Sequence, residues 1–335
     1  MVSSSPASQG QGPFFDDLTV GQSFANAPAV TLTEGLAAAH QAITGDRLAL
    51  PLDHELCRHV TGGGPIAPPA LVWDVAIGQS TVVTRHVKAN LFYRGLAFRR
   101  VPVIGDTLRT STVVVALRQN RARPGRAPTG LAALRITTTD QEHRPVLDFW
   151  RCAMLPLRDQ LAQTGHADDL DRIGPDGPPP DFAAPVAGWR LDRLAERSDG
   201  PRPPELRAGQ RIDVAGGDVV SSAPELARLT LNVAAVHHDA RSAGGERLVY
   251  GGHVIALALS QAVRALPSLV TVLGWHGCDH LGPVREGDTL RSSIEVERIA
   301  GLAGPAVLVH LRSLVRADGS ADRDVLDWRY IAVLA

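Results

Sequence analysis

Three stretches of this 335-residue chain occur twice, in the same order. Gly105-Asp106-Thr107-Leu108-Arg109 returns as Gly287-Asp288-Thr289-Leu290-Arg291. Val146-Leu147-Asp148-Phe149-Trp150-Arg151 returns as Val325-Leu326-Asp327-Trp328-Arg329-Tyr330, and Val20-Gly21-Gln22 matches Ala208-Gly209-Gln210. The offsets are 182, 179 and 188 residues. Three matches in register mark a tandem duplication, and two units suit the length. Between the copies, residues 171–180 read DRIGPDGPPP. Such a density of Pro, Gly and Asp reads as a linker. The expected organisation is an N-terminal unit over 1–157, a Pro/Gly-rich linker over 158–200 and a C-terminal unit over 201–335.

Each copy has the same internal plan. After the Gly-Asp-Thr-Leu repeat come alternating, β-branched stretches at 110–117, 132–139 and 145–155, and again at 292–299, 306–315 and 325–334. Turns containing Gly or Asp separate them, the pattern of an antiparallel sheet. Residues 252–266, GHVIALALSQAVRAL, are apolar nearly all round and stop at Pro267. A helix of that kind is buried on most sides. Its N-terminal counterpart is 68–77, opened by Pro68-Pro69, which suit a first helical turn. One buried helix and several antiparallel strands per copy predict an α+β double hotdog, two tandem units each wrapping a sheet around a central helix.

Composition removes several classes of function. The formal net charge is −1 and Lys88 is the only lysine, so no clustered cations point to nucleic acid. Cys57, Cys152 and Cys278 lack metal or disulfide spacing. The Ser/Gln/Gly-rich start, 1–13, does not read as a signal peptide, and no run approaches the ~20 apolar residues of a membrane helix. A soluble cytoplasmic protein without cofactor or metal is expected.

Several segments resemble the MaoC-like hydratases, and within them the mesaconyl-CoA (2-methylfumaryl-CoA) hydratase branch. These are Arg247-Leu248-Val249-Tyr250-Gly251-Gly252-His253-Val254-Ile255, Pro283-Val284 with Gly287-Asp288-Thr289, and Asn232 to His237. Phe14-Phe15-Asp16-Asp17 and Lys88-Ala89-Asn90-Leu91 add to the likeness in the first copy. The resemblance implies hydration of a 2-enoyl-CoA or carrier-bound thioester, or the reverse dehydration. R-specific hydratases carry Gly-Asp-x-Asn-Pro-x-His. Here Asn232 stands at the Asp position and His237 at the His position, whereas Gly45-Asp46 of the first copy is followed five residues on by Pro51. The chemistry is therefore expected in the C-terminal copy, and the N-terminal site is expected to be degenerate.

Hydration needs a base for water and a donor for the thioester oxygen. His237 has the titration range of a base, and the amide of Asn232 could hold water or orient the ring. In a continuous helix these two side chains would not share a face, so a helix ending between them is expected. Gly251 and Gly252 open the second helix, whose free N–H groups suit an oxyanion; Tyr250 and His253 flank that turn. Gly-Gly is equally an ordinary turn. Asp239 and His280 are accessory candidates, each with a plain reading as a loop acid or a strand-end side chain. Asp279 stands where the resembled family tends to carry Arg. Arg121, Arg123 and Arg126 read as an exposed hairpin turn. Competing functions are a hotdog thioesterase, for which 252–266 supplies no acid and the first helix only Asp74, and a non-catalytic thioester binder. The partner is an acyl-CoA or acyl-carrier thioester. Two fused copies suggest a pseudo-dimeric monomer or a homodimer.

Overall fold

The computed structural model describes residues 12–175, 177–195, 206–302, 304, 306–318 and 322–335. The start of the chain up to residue 11 and residues 196–205, the end of the expected linker and the first residues of the expected C-terminal unit, lie outside them. The N-terminal copy runs β1 (Ser23–Phe24), β2 (Val30–Thr31), α1 (Glu34–Thr44), α2 (Ala49–Leu52), α3 (His54–Thr61), α4 (Pro69–Ser80), β3 (Ala89–Phe98), β4 (Thr107–Gln119), β5 (Thr129–Thr139) and β6 (Pro145–Pro156). After α5 (Asp192–Ala195), the second copy runs β7 (Arg211–Asp213), β8 (Asp218–Val219), α6 (Ala223–Leu229), α7 (Gly251–Ala265), β9 (Leu269–His280), β10 (Thr289–Gly301), β11 (Val307–Asp318) and β12 (Arg323–Leu334).

The strands form one sheet, ordered β1-β4-β5-β6-β3-β9-β12-β11-β10-β7, with β2 on β4 and β8 on β10. The order reads the same from either end once the copies are matched. The copies join where β3 pairs antiparallel with β9, Tyr93 opposite Cys278 and Arg94 opposite Gly277. Asp279 is tied there to Arg94, 2.6 Å across the seam. α4 is buried along its whole length, and α7 over most of its length. α7 ends at Ala265, and its C-cap Leu266 precedes Pro267, which disfavours helical geometry there. Trp73 of α4 meets Trp275 of β9 and Trp328 of β12 with ring centroids 5.0 and 6.1 Å apart, so the core runs through both copies.

The repeated residues make repeated contacts. Asp106 accepts from the Val103 N–H and Arg100; Asp288 accepts from the Arg285 N–H and Arg323. Gly105 (φ 102°) and Gly287 (φ 91°) precede them in the left-handed region that glycine alone enters freely. Arg135 grips Asp148 and Arg312 grips Asp327, each through two nitrogens. Gln79 of α4 donates to the Leu108 carbonyl, and Gln261 of α7 to that of Leu290. The expected strands fall within β4, β5, β6, β10, β11 and β12, except that Ala306 precedes β11 by one residue, and the expected helices lie within a few residues of α4 and α7. Strands β3 and β9, which form the seam, have no counterpart among the expected stretches. Part of the 158–200 segment lies on the sheet: the Gln119 N–H donates to the His166 carbonyl, and Val186 and Leu191 are buried with Leu56, Val270 and Leu273.

Candidate active site

A cavity of about 560 Å³ lies between the copies. Its wall includes Thr81 and Thr84 just past α4, Asn90 and Tyr93 of β3, Arg151 of β6, the 232–237 loop, Tyr250 and Gly251 at the start of α7, and His280 at the end of β9. That volume falls in the range of small-molecule sites, roughly 300–1,000 Å³.

The loop is held by the other copy. α6 ends at Leu229, and Leu231 then takes a left-handed φ of 58°. Asn232 is therefore off the helix, and its Oδ1 accepts the Ala234 N–H at 3.0 Å. Residues 235–237 make one 3-10 turn that carries His237. The expected break between the pair is thus a break before both. The Val233 N–H donates to Thr81 Oγ1 and the Ala235 N–H to the Arg85 carbonyl, which pins the loop to the end of α4. A Cβ on Gly78 would stand 1.8 Å from the Thr230 carbonyl oxygen, so only glycine lets α4 come this close.

His237 is 9% exposed. Its Nδ1 lies 2.7 Å from the Leu248 carbonyl. A carbonyl only accepts, so Nδ1 carries the proton and Nε2 is the basic atom. Burial pushes this imidazole down to about 4, against the opposing Leu248 hydrogen bond. The ring centroid lies 5.8 Å from that of Tyr250. Asn232 Nδ2 is buried without a partner. Gly251 is the first residue of α7, where N–H groups have no intrahelical acceptor, and Tyr250 gives them no side-chain cap. His280 presses on this turn: a Cβ on Gly251 would be 2.7 Å from its Nε2. Burial pushes His280 to about 4 as well.

Three expected site residues lie elsewhere. Gly252 does not line the cavity. It faces α4, where an added Cβ would come within 2.0 Å of Asp74 Oδ1, so this glycine serves helix contact. His253 is fully buried near His40, with both ring nitrogens unpartnered. Helix rotation turns it away from the cavity that Tyr250 and Gly251 face. Asp239 is exposed and accepts the Arg241 N–H, capping its own 3-10 turn. Asp74, the acid on the first helix, is fully buried in a 3.0 Å pair with His40, and its carbonyl accepts the Tyr250 hydroxyl.

The first copy has a smaller pocket of about 280 Å³, lined by Asp46, Pro51, His54 and Pro68 among others. Asp46 follows Gly45 (φ 68°) as Asn232 follows Leu231, and Ser260 of α7 holds Gly45 by its carbonyl. Here the helix opens at Pro69, which has no N–H to offer.

Sequence reading missed Arg151, which is buried and lines the cavity. It closes one of the repeated motifs and was read only as a mark of duplication. The available signal was a charge on the inward phase of a strand, one position where the copies differ. Among the described residues, no group of three or more His, Cys, Asp and Glu could hold a metal ion, and no helix is long and apolar enough to cross a membrane.

No family model matches the chain. A double-hotdog protein of Mycobacterium tuberculosis, described as conserved and hypothetical, is 55% identical with a TM-score of 0.91, over 97% of this chain and 99% of that one. A putative MaoC domain protein dehydratase from Chloroflexus aurantiacus is 26% identical with a TM-score of 0.84, over 98% and 99%. The chain belongs to the MaoC-like double-hotdog family. Among relatives of this MaoC-like protein, the mesaconyl-CoA hydratase of Cereibacter sphaeroides is 28% identical over 303 residues, 88% of this chain and 86% of the relative.

Proposed function

We propose that this protein is a hydro-lyase that adds water to a 2-enoyl-CoA thioester, or removes it, using one site in the C-terminal copy. The observation that carries the reading is the fixed tautomer of His237, which leaves Nε2 basic in a residue on the wall of a cavity that also holds the open N-terminus of α7. His237 takes a proton from water as the oxygen bonds to the β-carbon. Electrons move to the thioester oxygen, which the Gly251 N–H and the positive end of α7 stabilise. The proton on His237 is then available to the α-carbon, so H and OH are added overall. Asn232 Nδ2 orients the water. His280 backs the Gly251 turn. The named activities of the relatives support this reading.

The first copy is a degenerate site in this reading, with Pro51 and Pro69 in place of base and donor. The fused units 1–157 and 201–335, joined by 158–200, would act as a pseudo-dimeric monomer that binds an acyl thioester.

The test is loss of enoyl-thioester absorbance over a panel of 2-enoyl-CoA substrates. Folded wild type consuming one of them, with His237→Ala inactive, supports the proposal; no loss across the panel overturns it. A non-catalytic thioester binder is the second reading, favoured by the absence of Asp and Glu from the cavity wall. It predicts thermal stabilisation by acyl-CoA without turnover. A thioesterase is disfavoured because α7 carries no acid and Asp74 is held by His40.

A further inference from the structure

A second cavity, of about 550 Å³, lies in the first copy and shares no lining residue with the one between the copies. Four arginines stand on its wall: Arg99 and Arg100 just past β3, Arg135 of β5, and Arg144 before β6. Arg135, Thr137 and Thr139 occupy the more exposed phase of β5, alternating with buried Ile136 and Thr138. The cavity therefore opens on the face of the sheet turned away from the core.

Acids answer these cations unevenly. Arg100 reaches Asp106 and Asp140, both buried behind it, and Arg144 reaches Asp140 and the exposed Glu142. Arg99 has only Asp148, which Arg135 already grips through two nitrogens at 3.1 and 2.9 Å. The contact left to Arg99 is 3.4 Å long, and its Nε and Nη1 make no hydrogen bond among the described residues. Its side chain is 40% exposed, so those donors face the opening.

The second copy shows the same surface without this excess. Leu281 takes the place of Arg99: the Arg99 N–H donates to the Val146 carbonyl, and the Leu281 N–H to that of Val325. Gly282 then stands for Arg100. Across the ladder Glu295 faces Arg312 and Asp324 faces Arg316, with ion pairs of 3.7 and 3.5 Å. In the first copy Val113 faces Arg135, and the second pair becomes Thr139 and Pro145. The strands pair in both copies, so the fold does not require Arg99 and Arg100. Exposed ion pairs contribute little to stability, which leaves Arg99 without a structural reason.

A carboxylate has two oxygens and is filled by one guanidinium fork, as Asp148 is by Arg135. A ligand that engages Arg99 together with the other arginines and the Thr137 and Thr139 hydroxyls needs acceptor oxygens pointing several ways, which a phosphate group has. The volume is that of small-molecule sites, and four arginines at one spot fall short of a stripe that follows a nucleic-acid backbone. We propose that this pocket binds the phosphate group of a small soluble molecule, with Arg99 as the residue that makes the site. The site stands whether or not the cavity between the copies hydrates anything.

Titration calorimetry of the full chain with inorganic pyrophosphate tests this. Wild type is expected to bind one equivalent saturably, and Arg99→Leu, which installs the residue of the second copy, to weaken binding at least about tenfold. Val113→Glu, which returns the acid of the second copy, weakens it as well and serves if Arg99→Leu does not fold. Arg316→Leu, which removes a cation from the other copy, leaves the affinity unchanged. Failure of wild type to saturate, or an affinity untouched by Arg99→Leu or Val113→Glu, overturns the proposal. Citrate binding as tightly as pyrophosphate overturns the choice of phosphate. Retention on phosphatidic acid vesicles by a chain that ignores pyrophosphate overturns the assignment to a soluble ligand.

Discussion

The Nδ1–H of His237 donates to the carbonyl of Leu248 at 2.7 Å, and this one hydrogen bond decides which nitrogen of the ring can act as a base. His237→Ala should lower kcat/KM by about 10²–10⁴, the usual worth of a positioned general base. With the ring pushed down to about 4, Nε2 is unprotonated from neutral pH to about 5. The rate should be flat over that span and fall below it. A kinetic pKa near 6.5 would speak against His237 as the base.

Asn232→Asp tests whether residue 232 faces that base. A carboxylate beside the ring favours imidazolium and raises its pKa. The acid limb of the profile should therefore move up toward neutrality while the loop keeps its Oδ1 bond to the Ala234 N–H. A limb that stays in place means the two side chains do not interact.

Burial brings His237, His253 and His280 each to about 4, against about 6.5 in an unfolded chain. Between those values the unfolded state binds more protons, so stability rises with pH across the window and is lost as pH falls through it. Above 6.5 these groups contribute no slope. Melting temperatures should drop steeply from pH 6.5 to 4.5. His253→Leu, outside the cavity, should flatten the drop, and an unchanged slope would remove His253 from the account.

Gly78→Ala places a methyl against the Thr230 carbonyl. Overpacking of this kind destabilises by about 1–3 kcal/mol. Because Thr230 leads into Asn232, activity should fall beyond what reduced folding explains, read as kcat per folded molecule. An unchanged kcat would mean that the loop absorbs the shift elsewhere.

The architecture was legible because repeated residues do repeated structural work: Asp106 and Asp288 close the same turn, and Asp148 and Asp327 hold the same arginine contact. Strands β3 and β9 were harder to see. β9 is buried over most of its length, and a continuous apolar run does not distinguish strand from helix. At the site, His237, Asn232, Tyr250, Gly251 and His280 share one cavity. Gly252 and His253 follow next in sequence yet face the first copy, since successive residues on a helix point about 100° apart. Asp239 needed only its own backbone as partner. The loop geometry could not be read from Ala234-Ala235, because the turn is imposed by Leu231 and by contacts to α4, more than 140 residues away in the chain.

The seam between β3 and β9 has a consequence for how such a protein can change. In a symmetric pair of separate chains, any substitution appears in both halves, helpful in one pocket and intrusive in the other. With both halves written into one polypeptide and hydrogen-bonded edge to edge, each side mutates alone. One half can surrender its reactive groups and become a wall for the other, without the assembly ever having to find its partner.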